Sequence, residues 1–326
     1  MTDPQDRSLC SSPPTYPRRA AKTAPAGRRS RVLAISMVAG LALVMAAACG
    51  SSAKSATSTS TAAPKASGPV DVAAAGSLQG LFTSHVGPGF EKATGYTFNG
   101  TFGDSGDLAT EIEAGTSVQD VFISANPAKN AGLMGTANKN LVSWYAEWGT
   151  SPLVLGYSPT SKFATDLKTM PWYQVLALPG ILVGRTDPAS DPAGELAEEA
   201  LTGAATTYNE PALKTIATTT SNIYPETTLV GRLQSGQLDV GFFYSVQAEG
   251  ANPEISSVPL TGESLGAKFT VTILTNAAHM AAAEAFVEYL LGPTPKPVLT
   301  SHGVTLVSPP TVTGTAPAAL SSVLPS

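Results

Sequence analysis

The sequence contains few of the residues on which metal-dependent or nucleophilic enzymes rely. Only two of its 326 residues are cysteine and three are histidine. The histidines, His85, His279 and His302, form neither an H-E-x-x-H pattern nor a paired cysteine–histidine spacing. The chain also lacks a G-x-S-x-G sequence around a nucleophilic serine. We therefore predict that the protein is not an enzyme and holds no metal ion or cofactor as a resident group.

Charge is also scarce, and the basic residues are unevenly distributed. Charged residues make up 13% of the chain, which carries a formal net charge of −5. Seven of the nineteen basic residues lie before residue 32, so that removal of residues 1–48 would leave a net charge of about −10. An acidic chain of this kind is not expected to bind nucleic acid.

The single long apolar run lies close to the N-terminus. It covers residues 32–48, follows a group of arginines and ends in the sequence AAACG. A basic segment, an apolar segment and small residues in this order are typical of an export signal. The cysteine at the end resembles the first mature residue of a bacterial lipoprotein, which predicts that Cys49 is lipidated. A transmembrane anchor is the alternative, although 17 residues is a short span for one.

The rest of the chain divides into a tether and a folded part. Residues 49–69 are rich in serine, threonine, alanine and proline without apolar periodicity, as expected of a disordered tether. With Cys10 inside the predicted signal, no disulfide is expected in the mature chain. From residue 70 onward short strands alternate with helices, which predicts an α/β fold with mostly parallel sheets. Ligands of such sheets bind beyond the carboxyl ends of the strands.

Four polar residues stand where a predicted strand is followed by a predicted helix. They are Ser77, Ser105, Asp191 and Glu226. A helix N-terminus has unpaired N–H groups and a partial positive charge, and both favour an anionic ligand. The same residue types also cap helices or stabilise their first turn. Spacing alone does not decide between capping and binding.

The order of several short segments resembles one known family. The segments are AAGSL, FGDSGDLATEIEAGTSVQDVFISAN, DPAGEL and LQSGQLDVGFFYSVQA. Together they resemble the molybdate- and tungstate-binding component of ABC importers over most of residues 70–326. The resemblance implies a two-lobed periplasmic-binding-protein fold of type II that closes over one tetrahedral oxyanion. It also implies a permease as partner, a monomeric binding protein and a location outside the cytoplasm, here on the outer face of the cell membrane.

The resemblance also implies ligand-binding residues. Ser77 and Ser105 match the two serines that hold the oxyanion, and Tyr244 matches a tyrosine that donates a hydrogen bond. Glu226 and Asp191 match two carboxylates of the archaeal-type tungstate binders, which raise the coordination number of the metal from four to six. Asp187 is the second choice for the latter carboxylate.

Two features of the sequence depart from this family. Asn126 stands where a nearby aspartate is common, and Asp104 and Asp107 flank Ser105 where neutral residues are usual. We expect both aspartates to point toward solvent. Sulfate or phosphate binding and a surface sensor without transport remain alternatives, and the sequence does not distinguish molybdate from tungstate.

The limits of the two lobes are predicted from the strand pattern. Residues 70–150 and 255–326 are assigned to the first lobe, and residues 151–254 to the second. Trp144 and Trp148 are four residues apart, which is consistent with one face of a helix packed near the hinge.

Overall fold

The computed structural model describes residues 67–251 and 253–325. The predicted export signal, Cys49 and most of the predicted tether lie outside these residues. Within the described part of the chain, helices and strands alternate as the sequence pattern indicates. None of the helices described there combines the length and the apolar character needed to span a membrane.

Nine strands are present in the described residues. They are β1 Pro69–Ala75, β2 Thr97–Gly103, β3 Val121–Ser124, β4 Trp144–Tyr157, β5 Val183–Gly184, β6 Val240–Tyr244, β7 Ser256–Pro259, β8 Gly266–Ile273 and β9 Thr305–Gly314.

The α-helices follow the same numbering by chain order. They are α1 Gln79–Leu81, α2 Gly87–Thr94, α3 Ser105–Ala114, α4 Pro127–Ala131, α5 Ala164–Thr169, α6 Trp172–Leu176, α7 Pro192–Thr207, α8 Pro211–Thr218, α9 Glu226–Gln234, α10 Ser245–Gly250, α11 Met280–Leu291 and α12 Lys296–Ser301. A π-helical turn, Phe82–Val86, joins α1 to α2, and short 3₁₀ turns lie at Gly76–Leu78, Thr136–Asn138 and Ala318–Leu320.

The strands form a mixed sheet in the order β2-β1-β3-β8-β4-β6-β5, and β7 and β9 also pair with β4. Strand β1 is parallel to β2 and β3, and β5 is parallel to β6. The other pairings are antiparallel. The expectation of mostly parallel sheets is therefore corrected to a mixed sheet. Alternation along the chain did not reveal that β7, β8 and β9 all run against β4.

Strand β4 connects two parts of the sheet. Its first part, up to Pro152, pairs with β8, whereas the part from Leu153 to Tyr157 pairs with β6 and β7. Trp144 and Trp148 lie in this strand and are buried, so the prediction of a helical face was wrong. Positions four apart share a face in a strand as well as in a helix, and the spacing alone could not separate the two. The exact lobe limits remain a prediction.

Packing in the core fixes the positions of β1 and α3. In β1 the residues from Val72 to Ala75 are buried without interruption, as expected for a central strand flanked by β2 and β3 and covered on both faces. Helix α3 packs through Leu108 and Ile112, four residues apart, and ends at Gly115, whose φ of 71° is the left-handed conformation of a C-terminal cap. These elements place the carboxyl ends of β1 and β2 side by side.

Candidate functional site

Ser77 lies immediately beyond β1, in the 3₁₀ turn Gly76–Leu78. Its side chain is 2% exposed, and its Oγ has no hydrogen-bond partner among the described residues. The residue that precedes the turn is Ala75, and no side chain caps it. Capping therefore does not account for a buried hydroxyl group at this position.

Ser105 is the first residue of α3, directly after β2. It is 1% exposed, and its Oγ accepts a hydrogen bond from the Ala125 N–H at 3.2 Å. The N-cap of α3 is Asp104, whose carboxylate does not bond to the N–H groups of its own helix. The Ser105 hydroxyl keeps its proton free for donation.

Asp191 is the N-cap of α7 and is buried. Its Oδ1 accepts the N–H groups of Ala193 and Gly194 at 2.7 and 3.3 Å, and the Thr186 hydroxyl at 2.8 Å. The capping interpretation is thus confirmed for this residue. Asp187, the second choice, makes a local bond to the Ala189 N–H and does not belong to the carboxylate cluster described below.

Glu226 begins α9 and is only 2% exposed. Its Oε1 has no hydrogen-bond partner among the described residues. Its other oxygen approaches the backbone of Gly76 so closely that a β-carbon at that position would lie 2.7 Å from Oε2. A glycine at the end of β1 is therefore what allows Glu226 to reach the neighbourhood of Ser77.

Tyr244 is the last residue of β6 and the N-cap of α10. It is 1% exposed, its ring packs edge-on against Phe269, and its hydroxyl has no hydrogen-bond partner among the described residues. Burial raises the pKa of Tyr244 well above its ordinary value, and the charges of Asp191 and Glu226 raise it further. The phenol is therefore a protonated hydrogen-bond donor next to the two carboxylates.

Three carboxylates converge at the site, one more than the sequence predicts. Oxygens of Asp104, Asp191 and Glu226 all lie within 4.8 Å of one another. The expectation that Asp104 points toward solvent was wrong: its Oδ1 accepts the Glu226 N–H at 3.3 Å and its Oδ2 the Ser190 hydroxyl at 3.4 Å. The partner at α9 is 122 residues away, so no local signal could reveal this contact. Asp107, in contrast, is exposed as expected.

The acidic cluster has no basic partner among the described residues. Burial raises the pKa of Asp191 to about 7, and Asp104 adds to the increase. Burial likewise raises the pKa of Glu226 well above its ordinary value, as do Asp191 and Asp104, whereas the nearby dipoles of Ser77 lower it. No hydrogen bond of normal geometry joins Ser77 to this carboxylate. Burial also raises the pKa of Asp104, against the effect of its bond to the Glu226 N–H. A cluster of this kind binds protons or an electron-poor centre that accepts oxygen ligands.

Asn126, the other departure from the family pattern, has a structural role at the edge of the site. Its Oδ1 accepts the Ala128 N–H at the start of α4, and its Nδ2 donates to Glu195 of α7 at 3.3 Å. Lys129 forms an ion pair with the same glutamate at 2.7 Å. These contacts join α4 to α7 beside the carboxylates.

A cleft of about 290 Å³ adjoins the site. Its lining includes Gly76, Ser77, Thr227 and Gln247. The Gln247 side chain donates to the backbone carbonyl of Glu226 at 3.3 Å. The cleft thus borders the turn after β1 and the first turn of α9, the two elements that carry Ser77 and Glu226.

The chain is similar to several known binding proteins. The molybdate/tungstate-binding protein WtpA of Thermococcus kodakarensis is 25% identical over 264 residues, which cover 63% of this chain and 75% of the relative. The Azotobacter vinelandii periplasmic molybdate-binding protein has the same fold, with a TM-score of 0.57, 21% identity and coverage of 73% and 99% of the two chains. The sulfate-binding protein SubI of Mycobacterium tuberculosis gives a TM-score of 0.55 at 16% identity and coverage of 78% and 89%.

These likenesses confirm the predicted two-lobed periplasmic-binding-protein fold. A profile of one family matches residues 70–305, a span that runs from β1 to the start of β9. The family consists of solute-binding proteins and is not a family of enzymes. This chain belongs to the family of bacterial extracellular solute-binding proteins.

Proposed function

We propose that this protein captures molybdate or tungstate outside the cytoplasm and delivers it to an ABC permease. The observation that carries the proposal is a convergence of polar groups at the carboxyl ends of the strands. Within residues 67–251 and 253–325, the carboxylates there have no basic partner, and the buried hydroxyl groups of Ser77 and Tyr244 have no hydrogen-bond partner. The similarity to a relative described as a molybdate/tungstate-binding protein supports the same ligand class.

The electrostatics favour a metal oxide over sulfate or phosphate. Two ionised carboxylates no more than 4.8 Å apart repel each other by at least about 3 kcal/mol at an effective dielectric of about 20. A dianion in their midst adds several times this repulsion, because each of its two charges faces both carboxylates. Each hydroxyl or amide donor, in contrast, returns only about 1.5–3 kcal/mol. The balance between repulsion and attraction changes if the carboxylate oxygens bind molybdenum or tungsten directly, because each carboxylate is then attracted to the metal as a ligand. Sulfur in sulfate does not expand its shell in this way.

The residues divide into donors and ligands in this proposal. Ser77, Ser105 and Tyr244 donate hydrogen bonds to the oxide oxygens, while Asp191 and Glu226 supply one oxygen each to the metal. Asp104 joins α3 to the N-terminus of α9 by accepting the Glu226 N–H, and burial raises its pKa.

The proposal includes a lipid anchor on Cys49, a monomeric binding protein and a location on the outer face of the cell membrane. Cys49 lies outside the described residues. Incorporation of a radiolabelled fatty acid by the wild-type chain but not by a Cys49→Ala variant would support the anchor, and equal labelling of the two would contradict it.

A titration with tungstate, molybdate, sulfate and phosphate tests the ligand. The variants are Glu226→Gln and Asp191→Asn, which keep the side-chain shape and, for the latter, the helix cap. Asp187→Asn is the matched control, because Asp187 lies in the same loop but outside the carboxylate cluster. We expect both site variants to bind tungstate at least tenfold more weakly, with the control unchanged, and a hundredfold excess of tungstate over Kd to stabilise the wild type by about 2.7 kcal/mol.

X-ray absorption at the tungsten edge tests the binding mode. Six oxygen neighbours in the wild-type complex and fewer in the Glu226→Gln complex are expected. Four neighbours in both, with equal affinity, would show that the ion is held by hydrogen bonds alone. Tight binding of sulfate would contradict the assignment to metal oxides.

A hard metal cation is the second candidate ligand. The observation in its favour is the donor set itself, three carboxylates and a tyrosine oxygen without a basic partner among the described residues. Ferric ion in the same titration series distinguishes this candidate, since it would bind without any oxyanion and its binding would be lost in Glu226→Gln.

A further inference from the structure

A second group of metal-ligating side chains lies at the other end of β1. It consists of Asp71 within β1, Asp120 directly before β3 and His279 directly before α11. The strand from Asp71 to Ala75 separates it from the oxyanion site by roughly 13 Å. The function proposed above does not involve these residues.

The ligand atoms of this group converge on one point. The His279 Nδ1 lies 2.9 Å from Asp120 Oδ2 and 3.5 Å from Asp71 Oδ2, and all three side chains offer a ligand atom within 4.8 Å of the others. In a tetrahedral zinc site with bonds of about 2.0–2.2 Å, neighbouring ligand atoms are about 3.3 to 3.6 Å apart. Small movements of exposed side chains would bring these atoms to such distances.

The negative charge of the two carboxylates also favours binding of a cation. Asp120 is a carboxylate that is 1% exposed, and Asp71 faces it across the imidazole. No lysine or arginine within residues 67–251 and 253–325 pairs with either carboxylate. Among the described residues, the imidazole of His279 is the one basic side chain in contact with these carboxylates.

The surroundings hold two of the three ligands in fixed orientations. Asp120 accepts the backbone N–H groups of Asp71 and His279, both at 2.8 Å, and Asn99 donates its amide to the other oxygen of Asp71 at 3.0 Å. Such hydrogen bonds to ligating carboxylates are typical of metal sites. The side chains of Asp71 and His279 are 32% and 38% exposed, which leaves room for a metal ion to enter from solvent and for water as a further ligand.

We propose that Asp71, Asp120 and His279 bind a divalent transition-metal cation such as Zn²⁺. The cation would take the position of the proton between the imidazole and the carboxylates, and it would join the amino ends of β1 and β3 to the start of α11. Binding at this site is independent of the oxyanion site.

Cobalt binding tests the proposal, because Co²⁺ replaces Zn²⁺ and its visible absorption reports the coordination geometry. The full-length protein is titrated with Co²⁺ and then with Zn²⁺ as a competitor. We expect one equivalent of Co²⁺ with a tetrahedral spectrum, displacement by Zn²⁺, and at least tenfold weaker binding in Asp71→Asn and His279→Asn. Asp120 is left unchanged, since its loss would also remove the acceptor of two backbone N–H groups.

Two controls exclude other sites. The rings of His85 and His302 lie 4.7 Å apart between centroids and are tilted by 52°, so His85→Asn tests this histidine pair, and Glu226→Gln tests the carboxylate cluster. Both controls should keep the Co²⁺ spectrum and affinity of the wild type. Absence of Co²⁺ binding, loss of binding in a control, or unchanged binding in both Asp71→Asn and His279→Asn would overturn the proposal and leave the group as an ion pair between imidazolium and carboxylate.

Discussion

The chemistry of the proposed oxyanion site depends on single residues that lie far apart in the sequence and are in contact in the fold. Gly76 lacks the β-carbon that would lie 2.7 Å from Glu226 Oε2 and 3.3 Å from Glu226 Cβ. A carboxylate can therefore lie against the end of β1, where Ser77 offers a buried hydroxyl. The backbone at Gly76 does not have a positive φ. Glycine is required here because a β-carbon would overlap the Glu226 side chain, and not because of the backbone conformation.

We predict that Gly76→Ala weakens tungstate binding by about tenfold or more, because the methyl group displaces the Glu226 carboxylate. The same overlap lowers the free energy of unfolding by about 1–3 kcal/mol. Isothermal titration and urea unfolding measure the two effects. Gly80→Ala, three residues beyond Ser77, is the matched control: nothing lies within 4 Å of its β-carbon, and both quantities should stay close to those of the wild type. Equal tungstate affinity in the two variants would contradict the role given to Gly76.

Asp104 shows how one residue can be misread from sequence. In the pattern GDSGD, Asp104 stands directly before a helix, a position typical of a solvent-exposed N-cap. The nearby Asp107 is exposed, as expected. Asp104 instead turns away from its own helix and accepts the N–H of Glu226. The reason is that α9 presents an unpaired N–H group at this position, which only the folded chain brings there.

At the scale of elements, the site is a meeting of helix N-termini. Helices α3, α7 and α9 begin at Ser105, Pro192 and Glu226, and their first residues lie beside the three carboxylates. The Gly106 N–H donates to the Ser190 carbonyl at 2.8 Å, and a β-carbon on Gly106 would lie 2.3 Å from that oxygen. The start of α3 therefore packs directly against the loop before α7, and a side chain at Gly106 would not fit between them. The partial positive charges of the helix ends favour anionic groups at this junction.

The contact between α4 and α7 leads to a kinetic prediction. Lys129 and Glu195 pair at 2.7 Å, and the two helices belong to different predicted lobes. Separation of the two predicted lobes would break this pair. We therefore predict that Glu195→Gln raises the dissociation rate of tungstate about two- to fivefold, in keeping with the small contribution of exposed ion pairs. Stopped-flow tryptophan fluorescence measures the rate. Glu199→Gln, on the exposed side of the same helix, should leave it unchanged; an equal effect of both variants would exclude a specific role of the pair.

At the scale of the whole molecule, buried carboxylates make stability depend on pH. The pKa of Asp191 is about 7 in the folded chain and has an ordinary value of 3.8 for an exposed side chain. Between these values the folded state binds more protons than the unfolded state. The free energy of unfolding of the ligand-free protein therefore contains a contribution that is complete below pH 4 and is lost as the pH rises through 7. The raised pKa of Glu226 acts in the same direction.

We predict that Asp191→Asn makes the unfolding free energy less dependent on pH between about 4 and 7. One group contributes a slope of at most about 1.4 kcal/mol per pH unit, and asparagine removes this contribution while retaining the helix cap. Urea unfolding at several pH values measures the slope. Asp187→Asn should keep the slope of the wild type. If Asp191→Asn kept it as well, Asp191 would not be a proton-binding group of the folded state.

Much of the fold follows from local patterns in the sequence. The apolar residues before Ser77 form a buried strand, Leu108 and Ile112 face the core four residues apart, and Gly115 ends α3 in the left-handed conformation. These features depend on strand and helix periodicity and on glycine chemistry, which act over a few residues. Where two periodicities coincide, as for Trp144 and Trp148, the pattern failed, and a strand was taken for a helix.

The sequence by itself determined the alternation of strands and helices, the position of Ser77, Ser105, Asp191 and Glu226 at strand–helix junctions, and the family resemblance. Only the tertiary structure decided that the sheet is mixed, that Asp191 and not Asp187 joins Glu226, and that Asp104 completes a cluster of three carboxylates. It also brought Asp71, Asp120 and His279 together from three separate segments. The physical reason is that local propensities fix where an element begins and ends, whereas the direction of a buried polar side chain is set by donors and charges that lie up to 159 residues away along the chain.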